Sequence, residues 1–227
     1  IKSFIEKNNI DMSQFENRQF TSYNDFFTRK ILPGKRPYSK DDNVLISPAD
    51  AKLSCYRIDD KCRVTIKDTS YSLEELLEDK ELANEYLNGY WLVFRLTVDD
   101  YHRYHYIDDG KIIGNKFING KFHTVNPIAN DYYPIYKQNT RSYTVIESKN
   151  FGKMVQMEVG AMMVGRIVNY PKKQCYRGEE KGYFEFGGST VVILLKENQA
   201  IIDEDIVKNT INDKETVVKL GESIGKK

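Results

Sequence analysis

The sequence predicts an α+β protein that is predominantly antiparallel β, with a single β-rich core and a small helical element at its N-terminus. Three observations support this fold class. Sixteen tyrosines and eleven phenylalanines favour strands. Short apolar runs bounded by turn residues recur along most of the chain, whereas helical spacing is confined to a few segments. The 227 residues, 40% of them hydrophobic, suffice for one sizeable core.

Two short helices are predicted within the N-terminal element, residues 1–30. Apolar residues at helical spacing indicate a helix over residues 1–8. In "TSYNDFFTRK", Ser22 can cap a second helix, and the following "LPGKRP" is typical of a helix stop. The rest of the chain, residues 31–227, forms the predicted β-rich domain.

The N-terminal element carries more phenylalanine than one small helix needs to bury. We expect Phe26 and Phe27 to cover the β core. From Ile1 to Phe20 we expect contact with a membrane, because no other apolar partner is evident for these side chains. The residues on which the membrane interpretation rests are Phe4, Ile5, Phe15 and Phe20.

The pattern in residues 31–227 indicates mostly strands. They are predicted at 44–47, 51–57, 63–67, 91–97, 110–114, 142–148, 153–164, 182–186 and 190–195, with a short strand near "TVVKL". The exception is "SLEELLEDKELANEYL", a predicted helix with Ser72 as its N-cap and Glu75 in the capping box. "TVNPIANDYYPIY" is predicted to be a loop with a helical turn.

Composition and charge disfavour several function classes. The 34 lysines and arginines nearly balance 33 acidic residues, and the net charge of +1 leaves no strong field for nucleic acid. No run approaches the roughly 18 apolar residues of a spanning helix. The chain begins at Ile1, so an anchor could precede it. Cys55, Cys62 and Cys175 are badly spaced for zinc, so we predict reduced thiols and no metal.

Imidazole chemistry is restricted to His102, His105 and His123. Two of them lie in "DDYHRYHY", where the pattern is consistent both with a surface turn and with a functional pair. A metal site is disfavoured, because no set of carboxylates and histidines completes it. His123, in "KFHTVNP", is interpreted as structural.

The stretch "YFEFGGSTVVILL" places a hydroxyl directly after two glycines. One interpretation is a Gly-Gly bulge with a buried hydroxyl. A serine hydrolase is disfavoured, because Ser189 lacks the later glycine and the helix of a nucleophile elbow. A third interpretation is self-cleavage. Gly188 has no Cβ, so the Gly188–Ser189 peptide bond can be strained and closely approached.

Self-cleavage would begin when the Ser189 hydroxyl attacks the carbonyl carbon of Gly188, assisted by a base and by oxyanion donors. Elimination from the resulting ester gives dehydroalanine, and hydrolysis then leaves a pyruvoyl group at the new amino terminus. Such a group condenses with an amine and withdraws electrons from the neighbouring carbon. The sequence permits this chemistry without requiring it.

Several motifs, in order, give the chain a resemblance to a known family. They are "FFTRKILPGKRP", "SPAD", "LTVDDYHRYH", "TVNP", "NTR", "VGAMMVGRI" and "GEEKGYFEFGGSTVV". On these motifs the chain, from about Tyr23 to about Leu195, resembles the phosphatidylserine decarboxylase family, pyruvoyl-dependent proenzymes that make phosphatidylethanolamine. The combination of "DYHRYH" with a late "GGST" is highly specific.

The resemblance implies a role for each matching residue. Ser189 is the self-cleavage site, cut from Gly188, and becomes the pyruvoyl group. His105 matches the family's base, and Asp50 of "SPAD" matches the residue that orients this base. His102 matches a histidine near the substrate carboxylate or its proton transfer.

The resemblance also implies partners and a cellular location. The substrate is phosphatidylserine in a lipid bilayer, and the enzyme is peripheral at the cytoplasmic face of the cell membrane. The cleaved β and α chains form a heterodimer. The resemblance leaves open whether two such heterodimers associate. Arg103 and Arg141 are candidates for contacts with the lipid phosphate.

Three departures from the family pattern bear on substrate preference and rate more than on self-cleavage. Ala51 follows the motif aspartate where the family usually has glycine, Thr140 replaces glutamate in "NTR", and "LNGYW" replaces a "KGG"-like segment. Two alternatives therefore stay open. One is a catalytically weak homologue that binds phospholipid, and the other is a pyruvoyl decarboxylase of a soluble amino acid.

Overall fold

The structure is a computed structural model that describes residues 1–66, 69–120, 138–160, 166–186 and 189–227. Its described part is built mainly from antiparallel strands, as predicted. Four predictions lie outside the described residues: the loop "TVNPIANDYYPIY", the interpretation of His123, the end of the 153–164 strand, and the geometry of Gly188.

The secondary structure of the described residues is as follows. The helices are α1 (Lys2–Lys7), α2 (Tyr23–Phe27), α3 (Leu73–Leu77), α4 (Lys80–Asn84) and α5 (Glu204–Ile211), with a 3-10 turn at Met12–Gln14. The strands are β1 (Val44–Ile46), β2 (Ala51–Arg57), β3 (Arg63–Ile66), β4 (Thr69–Ser72), β5 (Tyr90–Leu96), β6 (Arg103–His105), β7 (Gly110–Ile118), β8 (Arg141–Ser148), β9 (Gly152–Gly160), β10 (Ile167–Asn169), β11 (Gln174–Cys175), β12 (Glu180–Phe184), β13 (Ser189–Leu195), β14 (Ile201–Ile202), β15 (Thr216–Val218) and β16 (Ser223–Lys226).

Eight strands form one antiparallel sheet in the order β11-β7-β8-β9-β13-β5-β2-β15. The strand β13 lies between β5 and β9, and every residue in it is buried. This explains its continuous apolar run, because a strand covered on both faces has no solvent side to keep polar. The main hydrophobic core follows this sheet.

A smaller sheet, β10-β12-β6, covers one face of the large sheet. Its contacts with β8 and β9 are polar: Asn169 donates to Ser142 at 3.2 Å, and Lys181 donates to Glu158 at 2.7 Å. A third sheet, β1-β16-β14, joins residues near both ends of the described chain. In the smaller sheet, β6 of "DYHRYH" pairs with β12, whereas β13 lies in the large sheet.

The N-terminal element packs on this β structure. Helix α2 begins where Ser22 accepts a hydrogen bond from the backbone N–H of Asp25 at 3.1 Å, which confirms the predicted cap. Phe26 and Phe27 are buried, as expected for side chains that cover the core.

Phe15 does not fit the membrane interpretation. It is buried in a small second cluster with Tyr101 and Leu220, so the prediction that it contacts a membrane is wrong. Phe4 and Phe20 are half-buried, and each packs edge-on against Phe26. Among the described residues, no helix is long and apolar enough to cross a membrane.

The predicted helix after Ser72 is two helices. The N-cap is correct, since the Ser72 hydroxyl accepts from the N–H of Glu75. However, α3 ends at Glu78, which adopts a left-handed conformation, and Asp79 caps α4. A local cap thus overrides the helical spacing that suggested one continuous element.

Several short elements escaped prediction. They are β4, β6, β10, β11, β14, β16 and helix α5. The six strands in this set have two to four residues each, too few for periodicity to identify a strand. For β6 the difference matters, because the surface-turn alternative for "DDYHRYHY" is wrong: the segment forms a strand in which His105 is half-buried, and the preceding His102 is fully buried.

Candidate active site

Ser189 opens β13 in the centre of the large sheet, directly opposite Gly160 on β9 and Leu96 on β5. Its side chain is fully buried, and Oγ has no hydrogen-bond partner among the described residues. An unpaired buried hydroxyl costs about 1–3 kcal/mol. The hydrogen bonds of the described residues therefore do not account for a serine at this position.

Gly160 is the residue that faces Ser189 across the β9–β13 pair. Residues directly opposite in an antiparallel sheet present their side chains to the same face, so Ser189 shares a face with Gly160 and Glu158. The N–H of Gly160 donates to the carbonyl of Thr140 at 2.8 Å, and its carbonyl accepts from the Asn139 amide at 2.7 Å. These two bonds fix the backbone that faces the Ser189 side chain.

His102 presents an unpaired ring nitrogen to the interior. Its Nδ1 lies 3.0 Å from the carbonyl oxygen of Asp100, so the proton of the neutral ring sits on Nδ1 and the lone pair on Nε2. Burial lowers the pKa of His102 to about 3, which keeps the ring neutral. The ring lies 3.9 Å from that of Phe27, and Phe27 lies 5.3 Å from Phe186, just before the two glycines.

His105 repeats this arrangement with a different acceptor. Its Nδ1 lies 2.9 Å from the carbonyl oxygen of Gly178, and Nε2 has no partner among the described residues. Burial lowers the pKa of His105. The ring lines a cavity of about 240 Å³ together with Tyr38, Arg36 and Leu220. Both described histidines are thus neutral and carry a free Nε2 lone pair.

Gly178 can offer its carbonyl to His105 because of its backbone conformation. Its φ is +75°, in the left-handed region that favours glycine. A Cβ at Gly178 would also lie 2.3 Å from the ring of Tyr38. Sequence reasoning missed this residue, and its only signal was its place in "YRGEE" before a predicted strand.

Asp50 is buried and heavily bonded. Arg36 donates to both of its carboxylate oxygens, at 2.9 and 2.6 Å, and the N–H of Leu220 donates at 2.8 Å. Lys219 lies 3.6 Å away. Burial alone would raise the pKa of Asp50, but the hydrogen bonds from Arg36 and Leu220 lower it below its usual range.

The predicted triad is therefore brought together only in part. The backbone N–H of His105 donates to the carbonyl of Pro48, which places β6 beside the "SPAD" segment. The Nδ1 atom of His105, however, faces Gly178, while Asp50 bonds Arg36, and Arg36 lines the cavity of His105. The assignment of Asp50, His105 and Ser189 stays a prediction, with Arg36 as a link that the sequence did not indicate.

A buried ion pair lies on the Ser189 face of the large sheet. Lys181 Nζ and Glu158 Oε2 are 2.7 Å apart, and Asn169 bonds both groups. A bulge in β12 between Glu180 and Gly182 accommodates Lys181 in the interior. Sequence reasoning missed the pair, although a lone glutamate inside the apolar "MVQMEVG" was a usable signal.

The residues that depart from the family pattern have ordinary surroundings. Ala51 is buried at the start of β2, opposite Val218. The Thr140 hydroxyl exchanges hydrogen bonds with the backbone N–H and carbonyl of Gly120, both at 3.1 Å. Neither substitution disturbs the contacts of Ser189 or the histidines.

Arg103 and Arg141 are used inside the protein. Arg103 donates to the carbonyl of Thr28 at 2.7 Å and to Glu180 at 2.6 Å. Arg141 donates to the carbonyl of Leu76 at 2.7 Å. Both side chains are buried, which favours structural roles over the predicted contacts with a lipid phosphate.

The three cysteines form no disulfide. Cys55, Cys62 and Cys175 are free and buried, and burial raises the pKa of each thiol. In the part of the chain that the structure describes, no cluster of histidine, cysteine and carboxylate side chains is arranged to hold a metal ion.

Comparison with known proteins agrees with the motifs. The family model described as phosphatidylserine decarboxylase matches residues 23–226. A Clostridium acetobutylicum protein named phosphatidylserine decarboxylase proenzyme 2 is 52% identical over 225 residues, which span 99% of this chain and 77% of that protein. Relatives from Clostridium perfringens and Clostridium botulinum, both named phosphatidylserine decarboxylase proenzyme, are 44% and 45% identical over 233 residues, or 100% of this chain and 79% of each relative.

Proposed function

The chain belongs to the phosphatidylserine decarboxylase family, and from that premise we propose that it is a self-processing, pyruvoyl-dependent carboxy-lyase that converts phosphatidylserine to phosphatidylethanolamine and CO2. The observation that carries the proposal is the hydroxyl of Ser189. It is buried, lacks a described hydrogen-bond partner and directly follows Gly188 at the start of the central strand.

Self-cleavage needs no outside reagent except water. Attack of Ser189 Oγ on the carbonyl carbon of Gly188 forms a C–O bond and breaks the C–N bond, and the hydroxyl proton passes through a base to the freed nitrogen. Removal of the Ser189 α-proton then expels the Gly188 carboxylate. Water replaces the nitrogen, which leaves as ammonia, and the ketone of the pyruvoyl group remains.

The surroundings of position 189 fit such a group. The side chain is fully buried, and its cross-strand partners are Leu96 and Gly160, of which Gly160 contributes no side chain. A pyruvoyl group at position 189 would supply an electron-withdrawing carbonyl that can take up the amine of a substrate. The enclosed position also keeps water away from the reacting carbon.

The two histidines supply proton transfer. Because each Nδ1–H donates to a carbonyl, each Nε2 is an available base at neutral pH. We assign His105 to the hydroxyl proton of Ser189 and His102 to the carboxylate end of the substrate. Asp50 would influence His105 through Arg36, which contacts Asp50 and lines the His105 cavity.

The two chains produced by cleavage would stay together. The α chain has 227 − 188 = 39 residues and contributes β13, β14, β15, β16 and α5. The strand β13 is hydrogen-bonded on both sides, to β5 and β9, and β16 lies between β1 and β14. Separation of the two chains would break backbone hydrogen bonds in two sheets, so a noncovalent heterodimer is the expected product.

Access to a lipid substrate implies contact with a bilayer. We propose a peripheral location at the cytoplasmic face of the membrane. With a net charge of +1, attraction to anionic lipid is weak, so local apolar groups must provide the contact. Ile1 is exposed at the start of α1, and Phe4 and Ile5 are half-buried on the same short helix. These residues are better candidates than the buried Phe15.

The intact mass of the purified protein tests the proposal. We expect a β chain of residues 1–188 and a 39-residue α chain that is blocked to Edman sequencing. The cleaved protein should release CO2 from phosphatidylserine in vesicles, and Ser189→Ala should stay uncut and inactive. A full-length protein with an ordinary Ser189 would overturn the proposal. Cleaved protein that decarboxylates only a soluble amino acid would overturn its substrate.

A further inference from the structure

Arg29 is buried in an unusual way for an arginine. Only 1% of its surface is exposed, and its guanidinium lies over two rings, 4.4 Å from the centre of Phe15 and 4.7 Å from that of Phe26. These rings belong to the N-terminal element, residues 1–30, so Arg29 is enclosed where that element meets the β domain. Cation–π contacts compensate only part of the cost of burying a charge.

The hydrogen bonds of Arg29 are few and long. It donates to the carbonyl of Phe26 at 3.4 Å and to the main-chain carbonyl of Asp99 at 3.3 Å, and its Nε has no partner among the described residues. No carboxylate within the described residues pairs with it. Arg36 and Arg103, by contrast, each bond a carboxylate at 2.6 Å. Burial lowers the pKa of Arg29 to about 10, so the group stays charged at neutral pH.

Arg29 lines a cavity of about 390 Å³ that Arg36, Lys219 and Asp50 also line. Two carboxylates of the cavity lining form ion pairs with other cations: Asp50 pairs with Arg36, and Asp100 pairs with Lys52 at 3.2 Å. Asp11 and Asp99 complete the acidic part of the lining. Within this set, Arg29 is the buried cation without a counter-ion.

The cavity shares Asp50 with the residues assigned to self-cleavage. Its wall includes Tyr101, the residue before His102, and Phe27 stacks on the His102 ring. Burial is the main cause of the lowered pKa of His102, and the positive charge of Arg29 lowers this pKa further. The two groups are therefore close enough to interact electrostatically. A ligand bound at Arg29 would therefore extend toward the proton-transfer groups.

We infer that Arg29 binds the phosphodiester of the phospholipid headgroup, an inference that rests on the proposed function. The headgroup carries two oxyanions, a carboxylate and a phosphodiester. A guanidinium held on the carboxylate would stabilise the ground state and oppose the departure of CO2. The phosphodiester keeps its charge through the reaction, so pairing it with Arg29 anchors the substrate without slowing the chemistry.

Steady-state kinetics of the cleaved enzyme on phosphatidylserine in mixed micelles test the inference. Arg29→Gln should raise KM by about tenfold to a hundredfold, the range of one charge-assisted hydrogen bond, and leave kcat within about threefold. Arg29→Lys should recover part of the loss. The matched control is Arg18→Gln, since Arg18 also lies over a ring, that of Phe20, but its side chain is 40% exposed. This control should leave KM unchanged.

Two soluble inhibitors distinguish binding of the phosphodiester at Arg29 from binding of the carboxylate. Glycerophosphoethanolamine carries the phosphodiester without the carboxylate, and serine carries the carboxylate without the phosphodiester. Arg29→Gln should weaken inhibition by the first and leave inhibition by the second unchanged. The opposite pattern would overturn the inference in favour of a carboxylate site. Unchanged KM would overturn it outright, and so would a loss confined to kcat together with a lower melting temperature.

The inference can fail independently of the proposed function. If wild type does not decarboxylate phosphatidylserine, the proposed function is wrong and the inference falls with it. If wild type is active, and Arg29→Gln self-cleaves to the expected masses with wild-type KM, only the inference is wrong.

Discussion

Two buried polar regions of the molecule are built in opposite ways. Around Asp108, both carboxylate oxygens accept hydrogen bonds, from the hydroxyl of Ser148 and from the backbone and side-chain amides of Asn150. Around Ser189, the hydroxyl and the Nε2 atoms of both described histidines have no partner among the described residues. Satisfied groups support the fold, whereas unsatisfied ones cost free energy. This contrast is expected if the Ser189 region serves reactivity and the Asp108 region serves stability.

The largest expected effect is that of Ser189→Ala. Self-cleavage should be abolished, because the attacking hydroxyl is gone. The variant should melt no lower than the cleaved wild type, since the lost group makes no described hydrogen bond and the chain stays continuous. Intact mass and calorimetry measure both properties. An uncut variant with a much lower melting temperature would show that Ser189 is structural and would break the comparison.

His105→Ala should slow self-cleavage by about 10²- to 10⁴-fold, the usual contribution of a general base. Asp50→Ala should also slow cleavage, because it frees Arg36 next to the His105 cavity. The rate can be followed by mass after rapid synthesis of the chain, with circular dichroism to verify folding. Normal cleavage in both variants would refute the assignment of these two residues.

Asp108→Ala tests the other region and should act on stability. It should lower the free energy of unfolding by about 3–5 kcal/mol, because it removes several hydrogen bonds and the nearest carboxylate to the buried Arg177. Arg177 keeps its bonds to the carbonyls of residues 39, 41 and 44, so the folded protein should still cleave. Denaturant unfolding measures the loss.

The control for that measurement is Asp42→Ala. Asp42 forms an ion pair with Lys149 in which both side chains are more than half exposed, so its loss should change stability by less than about 1 kcal/mol. Equal losses in the Asp108 and Asp42 variants would contradict the view that burial makes the Asp108 bonds important.

The last expected effect is a dependence of stability on acid. The pKa of His102 is lowered to about 3 in the fold and is about 6.5 in an unfolded chain, so the unfolded chain binds more protons below pH 6.5. Protonation of this residue therefore does not reduce the free energy of unfolding above pH 6.5. As the pH falls from 6.5 towards 3, it reduces the free energy of unfolding by at most about 1.4 kcal/mol per pH unit. His102→Asn should flatten the profile between pH 6 and 4.5. An unchanged profile would contradict burial of a neutral ring.

Local sequence determined much of this protein. The run of β-formers after "GGST" identified β13, because only a strand covered on both faces is apolar throughout. Ser22 and Ser72 were recognised as N-caps from their spacing to the next acidic residue. The candidate nucleophile and both described histidines were found because their motifs lie in short contiguous stretches.

Tertiary structure alone decided the features that join distant parts of the chain. The acceptor for His105 is Gly178, 73 residues away, and Phe15 turned out to be buried because Tyr101 and Leu220 cover it. Arg29 shows the limit most clearly. Its sequence neighbours suggest an ordinary helix end, yet its missing counter-ion and its cavity emerge only when the N-terminal element closes on the β domain. Propensity and periodicity report on neighbours along the chain, whereas burial and charge pairing depend on residues that folding brings together.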